Sequence, residues 1–174
     1  LIEGSITPTN LWTTPEQFDS NWTTALTAVS ANTGTSPDNT ITSEKIAITE
    51  TTGQHHIQRS YSLTSFDTFD SDASKFDSGS LKFDSGAVNP TQTFTSSMFV
   101  KASEYNNVRF TVFLDSGTEN AHFNANLTTG QIGSIFATSG LTVTGHGAIP
   151  FGNGWYRLYI TTEFGFGFAT LVNK

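Results

Sequence analysis

The sequence has no cysteine, few charged residues and no long apolar run, and each absence excludes a class of protein. Without cysteine there is neither a disulfide framework nor thiolate chemistry. Lys and Arg total 8 against 15 Asp and Glu, a net charge of -7 that speaks against nucleic-acid binding, which needs clustered basic residues. No apolar run approaches the roughly 20 residues of a transmembrane helix. We therefore expect a soluble protein whose partners include neither nucleic acid nor membranes.

Aromatic and small polar residues dominate what is present. The 15 Phe, 4 Tyr and 3 Trp supply large side chains for a core, and the chain of 174 residues suits one domain. The abundance of Thr, Ser, Asn and Gly favours strands and turns over helices. We expect a single β-rich domain over residues 1–174.

Alternating apolar residues predict a series of strands. The clearest alternation is NNVRFTVFLD, in which Val108, Phe110 and Val112 share one face and Arg109 lies on the other. Turn residues recur between such segments, and no helical period is present. The sequence therefore predicts an all-β fold, an antiparallel β-sandwich of the jelly-roll type. The other strand candidates are SEKIAITE (43–50), HHIQRSYSL (55–63), FTSSMFVKA (94–102), AHFNANLTTG (121–130) and YRLYIT (156–161).

Two segments depart from this pattern. Residues 1–40 are rich in Thr, Ser and Asn with spaced prolines, so we expect a loop-rich N-terminal wrap in which Trp22 is buried. Residues 64–91 contain Phe-Asp repeatedly and KFDSG twice, which predicts a hairpin insertion with solvated aspartates. The alternative is a calcium site formed by the aspartates. It would have to be irregular, because an EF-hand loop needs Gly where this sequence has Lys75 and Glu where it has Leu81. No other cofactor or metal is expected.

Motifs for catalysis are lacking. There is no Gly-x-Ser-x-Gly elbow, and the four histidines show no zinc-ligand spacing. Two carboxylates brought together only in three dimensions would still allow glycoside cleavage. We expect no catalytic residues and hence no enzyme.

The segment GNGWYR contains the residue types that bind ligands, two aromatic rings and an arginine, directly after a turn signal. Asn153-Gly154 predicts a tight turn that delivers Trp155 and Tyr156 to opposite faces of a sheet. Either ring fills the core, or one forms a platform for a sugar, whose hydroxyls need polar partners beside it. The candidate ligand-binding residues are therefore the rings and donors on predicted strands: Trp155, Tyr156, Arg109, His55 and Tyr61.

Several motifs, in order, resemble a jelly-roll domain of tailed-phage virion and tail-fibre proteins. That domain is itself similar to the carbohydrate-binding modules of xylanases and glucanases. The resemblance covers residues 10–63 and 92–162, while SKFDSGSLKFDSG in the insertion resembles a strand pair of laminin-G-like lectins. Its main segments are NLWTTPEQFDSNWTT (10–24), FTSSMFVKASEYNNVRFTVFL (94–114), FNANLTTGQIG (123–133) and GNGWYRLYIT (152–161).

The resemblance implies a non-catalytic structural or decoration protein of a virion, an extracellular particle, that contacts host surface polysaccharide. Its partners would be other virion proteins or further copies of itself in a homo-oligomer. The alternative is a free-standing carbohydrate-binding or lectin-like module of a secreted polysaccharide-degrading system. Such domains normally continue beyond the position of Lys174, so we expect the tail EFGFGF (163–168) to dock on an open sheet edge of this chain or of a neighbour.

Overall fold

The computed structural model describes residues 17–62, 92–114, 119–164 and 170–173, and most of them lie in strands. The predicted insertion at 64–91, with its calcium alternative, lies outside these residues. Within the described ranges no helix is long and apolar enough to span a membrane. The elements are α1 (Phe18–Asn21), β1 (Thr23–Ala25), β2 (Thr27–Gly34), β3 (Ser43–Ile48), β4 (His56–Ser62), β5 (Gln92–Lys101), β6 (Asn107–Leu114), β7 (Glu119–Asn126), β8 (Phe136–Ala137), β9 (Thr142–Gly152), β10 (Trp155–Phe164) and β11 (Thr170–Asn173).

The chain forms two compact units, Leu1–Tyr61 and Ser62–Lys174. In the first unit β1 pairs with β4 and β2 pairs with β3, both antiparallel. Strands β1 and β2 thus lie where the sequence predicts loops. In β2, half-buried Thr27 and Val29 alternate with exposed neighbours, and such β-branched residues suit a half-buried strand.

The N-terminal helical turn carries an aromatic pair. The rings of Phe18 and Trp22 meet edge to face, with centroids 4.9 Å apart. The backbone N–H of Phe18 donates to a Glu44 carboxylate oxygen at 2.6 Å, which ties α1 to β3. Trp22 is half-buried rather than buried as predicted. Its partner ring, Phe18, is also half-buried.

The second unit contains two antiparallel sheets. In the first, here called the β10 sheet, β10 lies between β5 and β9. In the second, here called the β7 sheet, the strands β11, β6, β7 and β8 are neighbours in that order. Strand β11 pairs with β6 of the same chain, so the described end of the tail extends the chain's own sheet. The tail residues 165–169 lie outside the described ranges.

The core of this unit lies between the two sheets, which confirms the predicted antiparallel β-sandwich. Strands β6 and β7 turn every second side chain toward it, and β10 does the same from the other side. Removing each large apolar side chain from water contributes about 1.5 to 3 kcal/mol. The buried core residues are Phe110, Val112, Ala121, Phe123, Ala125, Leu127, Leu141, Leu158 and Ile160.

Candidate functional site

The predicted tight turn forms, and it separates the two aromatic residues that follow it. Asn153 and Gly154 both have positive φ, at 50° and 80°, and they join β9 to β10. Both residues tolerate this left-handed conformation, which the hairpin requires. Tyr156 then packs against the sandwich core, whereas Trp155 lies at the start of the opposite row of β10.

The alternation of side chains along β10 determines which of its residues face away from the core. Leu158, Ile160 and Thr162 are fully buried between the sheets, so the residues between them face away from the core. In the register of the sheet, Arg157 lies between Phe99 of β5 and Ile149 of β9. Trp155 lies one step further toward the turn, opposite Lys101. These residues form the outer surface of the β10 sheet.

Two phenylalanine rings meet on this outer surface. The ring centroids of Phe99 and Phe151 are 4.9 Å apart, with the planes inclined at 69°. Phe99 belongs to β5 and Phe151 to β9, so the rings reach each other across β10. A register shift in the β9–β10 pairing between Trp155 and Tyr156 lies beside Phe151. We call Phe99, Phe151, Ile149 and Trp155 the aromatic face.

The exposure of this face is unusual for such large apolar groups. Phe99 is 41% exposed, Ile149 46% and Phe151 54%. Isolated exposed apolar side chains are common, but a contiguous group of them usually marks a binding surface. The aromatic face is therefore the strongest candidate for recognition on the β10 sheet.

Polar groups continue the same surface along the strands. The guanidinium of Arg157 donates to the Ser97 hydroxyl at 3.2 Å, and the hydroxyls of Thr95 and Thr161 are 2.9 Å apart. Tyr159 lies over Gly147, where a Cβ would approach its ring to 3.0 Å. Because the glycine has no side chain, the tyrosine ring can lie close against the sheet. The outer surface thus combines rings, a guanidinium and hydroxyls.

Arg109 and Trp155, which the sequence offers as one possible ring-and-donor pair, lie on different sheets. The neighbours of Arg109 in β6, Phe110 and Val112, are buried between the sheets, whereas Arg109 is exposed on the outer surface of the β7 sheet. The two residues therefore lie on opposite outer surfaces of one sandwich. Each strand shows its alternation in the sequence, but the sequence does not show which sheet the strand joins.

A polar cluster surrounds Arg109 on the β7 sheet. Its Nε donates to Asn124 Oδ1 at 3.2 Å, and His122 Nδ1 is 3.2 Å from Asn120 Oδ1. The imidazole of His122 packs on the ring of Phe136, with centroids 4.9 Å apart. We call Arg109, Asn120, His122 and Asn124 the donor face; the exposed Phe136 adjoins it.

His122 is held in its neutral form by its surroundings. Burial lowers the pKa of His122 below its ordinary value of 6.5, and the nearby positive charge of Arg109 lowers it further. Both effects disfavour the imidazolium, because a charged ring loses hydration and meets a like charge. At neutral pH the cluster therefore carries the charge of Arg109.

The remaining predicted site residues belong to the first unit. His55 Nε2 lies 2.6 Å from the carbonyl oxygen of Glu50, which holds the ring against its own loop. Tyr61 lies in β4. Within the part of the chain that the structure describes, no group of three or more His, Asp or Glu residues is placed to hold a metal ion.

The sequence did not predict that the residues of the aromatic face, or those of the donor face, lie together. The alternation of FTSSMFVKA places Phe99 outward, a signal present in the sequence, but only the pairing of β5, β10 and β9 brings it to Phe151. Similarly, ENAHFNAN alternates polar and apolar residues, and only the pairing of β6 with β7 brings Arg109 to Asn124.

Comparison with known proteins adds no family to this description. No protein-family model matches the chain, and no curated protein matches its sequence.

Proposed function

We propose that this chain is a non-catalytic component of a phage particle that contacts glycans through its aromatic face. The observation that carries the glycan contact is the exposed pair Phe99 and Phe151, joined across β10 beside Trp155. Flat rings match the apolar face of a sugar, and rigid aromatic side chains lose little entropy when they bind.

The polar part of the same surface supports this function. Arg157, with its guanidinium bonded to Ser97, lies in the outward row beside the rings. Hydroxyls and a guanidinium along the strands can exchange hydrogen bonds with sugar hydroxyls, while the rings exclude water from one side. This division between rings and polar groups is what glycan recognition requires.

The particle setting rests on the order of the sequence motifs that resemble phage jelly-roll domains. In that setting the protein would lie on the virion, beside other virion proteins or further copies of itself. A free-standing module of a secreted polysaccharide-degrading system would use the same aromatic face, so the two settings differ in the partners of the protein and not in the surface that binds.

A glycan array probed with the whole chain tests the proposal. We expect binding to a subset of neutral or acidic glycans, and we expect Phe99→Ala and Phe151→Ala each to weaken it roughly five- to thirtyfold. Tyr105→Ala is the matched control, because Tyr105 is a ring that is 59% exposed but lies in the loop between β5 and β6.

Two results would contradict the proposal. One is an array with no bound glycan, and the other is binding that survives both phenylalanine substitutions. In the first case, a shift of oligomeric mass on Phe99→Ala would assign the aromatic face to contacts between protein subunits, as in a purely structural virion domain.

A further inference from the structure

The outward row of β7 has a composition unlike that of any other described strand. Along Glu119–Asn126 the buried residues Ala121, Phe123 and Ala125 alternate with polar ones. The polar residues lie on the outer surface of the sheet, about 7 Å apart along the strand because the rise is about 3.4 Å per residue. They are Asn120, His122, Asn124 and Asn126.

The amide oxygens of this row are already engaged within the protein. Asn124 Oδ1 accepts from Arg109 Nε, and Asn120 Oδ1 lies against His122 Nδ1. Asn126 Oδ1 accepts from the backbone N–H groups of Thr128 and Thr129, at 2.9 and 3.1 Å. The side-chain oxygens of the row are therefore turned toward partners in the protein.

The donors, in contrast, remain available. The bond between Arg109 and Asn124 uses Nε of the guanidinium and Oδ1 of the amide, which leaves the terminal guanidinium nitrogens and the Asn124 amide nitrogen outside that pair. His122 adds no donor here, because the neutral ring has its proton on Nδ1, facing Asn120 Oδ1, and Nε2 is an acceptor. Each asparagine oxygen is fixed by its bond, so its NH₂ group is directed to the other side. The donor face thus offers the N–H groups of Arg109 and of the asparagine amides, while the amide oxygens of Asn120, Asn124 and Asn126 already have partners in the protein.

The charge of the donor face matches its hydrogen bonding. Arg109 lies close enough to His122 to lower its pKa, and the Arg109 Nε donates to a neutral amide, that of Asn124. Glu119, at the start of β7, is bonded instead to the Thr138 hydroxyl and the Gly140 backbone N–H. A guanidinium bonded to a neutral amide, beside further amide N–H groups, suits a ligand rich in acceptors and negative charge.

We propose that the donor face binds the carboxylate groups of an acidic polysaccharide. The class of ligand rests on the proposed glycan contact, but the site is separate, since it lies on the opposite sheet from the aromatic face. Arg109 binds the carboxylate, the asparagine amides donate to sugar oxygens, and Phe136, which is 49% exposed, covers an apolar sugar face.

A glycan fits this surface better than an acidic peptide does. The cluster has a single guanidinium flanked by neutral amides, which suits a ligand with many hydroxyls and widely spaced charges. The exposed ring of Phe136 beside His122 supplies a flat apolar contact, which a polyglutamate chain cannot use. Spacing of about 7 Å along β7 also allows an extended polymer to meet successive donors.

The experiment compares two polymers with the same sugar backbone, one with free carboxylates and one with neutral methyl esters. Polygalacturonate and its fully methyl-esterified form share one backbone, so their affinity ratio for the whole chain isolates the contribution of the carboxylate. We expect the wild type to prefer polygalacturonate by roughly tenfold at low salt, with the preference shrinking as salt is added. Equal affinity for the two polymers, or binding to neither, overturns the inference.

Two substitutions separate this site from the aromatic face. Arg109→Gln should remove the preference for the acid form, whereas Arg109→Lys should keep a reduced, salt-sensitive preference because the charge remains. Tyr105→Ala, in the loop between β5 and β6 and part of neither face, should leave the ratio of the two affinities unchanged. The effect of Phe99→Ala and Phe151→Ala on the array glycans tests the proposed function, and the affinity ratio in Arg109→Gln tests the donor face, so the two can fail separately.

Two further outcomes oppose the inference. An unchanged ratio in Arg109→Gln, with the variant folded as judged by circular dichroism, would place the carboxylate elsewhere. Binding of poly-L-glutamate as tight as that of polygalacturonate would show that the donor face recognises negative charge on any polymer. Weak or absent binding of poly-L-glutamate, together with loss of the ratio in Arg109→Gln, supports the glycan site.

Discussion

Gly130 lies directly against the ring of Tyr156. A Cβ at position 130 would stand 2.6 Å from Cε1 of the tyrosine, and the glycine has a φ of 73°. Gly130 ends the turn after β7, and its N–H donates to the carbonyl oxygen of Asn126 at 2.8 Å. The turn of one sheet and the first inward ring of the other therefore depend on each other.

Replacing Gly130 by Ala should lower the free energy of unfolding more than the same replacement at another glycine with positive φ. Gly152→Ala is the matched control, since its φ is 90° but nothing lies within 4 Å of its Cβ position. We expect Gly152→Ala to lose about 1 to 2 kcal/mol from backbone strain alone, and Gly130→Ala to lose more because the Tyr156 ring must also move. Urea unfolding measures both, and equal losses would show that the ring adapts freely.

The core of the sandwich should depend on Leu158 far more than on its exposed neighbour. Leu158→Ala empties a site with 0% exposure and should lower the free energy of unfolding by about 2 to 5 kcal/mol. Ile149→Ala, on the adjacent strand at 46% exposure, should cost well under half as much. Thermal or urea denaturation checks the pair, and similar losses would place the core elsewhere.

Acid should destabilise the second unit in part through His122. Its folded-state pKa is lowered by burial and by Arg109, so the unfolded chain binds the proton more readily. Stability is therefore complete above the unfolded value of 6.5 and falls as the pH drops through it. His122→Gln should lose less stability than the wild type between about pH 8 and about pH 5.5. Identical pH profiles for the two proteins would exclude this contribution of His122.

The carboxyl group of Asp38, in the loop before β3, should stay ionised to a lower pH than an ordinary aspartate. Bonds from the hydroxyls of Ser36 and Thr40 and from the Thr40 backbone N–H lower the pKa of Asp38 from 3.8 to about 2. Because the folded value is depressed, the stabilisation by Asp38 is present above 3.8 and is lost as the pH falls to about 2.

Carbon-detected NMR titration of the Asp38 carboxyl measures this directly. Ser36→Ala should raise the pKa toward 3.8, since the Ser36 bond is the largest cause of the shift. Thr33→Ala serves as the control, because its hydroxyl is directed to the carbonyl oxygen of Ser43 instead. A wild-type carboxyl that titrates at 3.8 would mean that the loop bonds do not persist in solution.

The sequence alone determined strands β5, β6, β7 and β10 of the sandwich and the turn that precedes β10, whereas β8, β9 and β11 were not predicted. In VRFTVF the inward positions Phe110 and Val112 follow from the period of two, which is a local property of an extended chain. The positive φ of Asn153 and Gly154 follows from residue type, since these two residues tolerate it. Local stereochemistry is enough for such features.

Only the tertiary structure decided which outward residues share a surface. Arg109 and Trp155 are both outward, yet they lie on different sheets, whereas Phe99 and Phe151, 52 residues apart in the chain, have rings 4.9 Å apart. The pairing of β5 and β9 with β10 decides this, because strand neighbours are selected by burial of the whole core and not by any one segment. A period of two gives each strand its inner and outer row, and the packing of the complete chain then determines which rows become one surface.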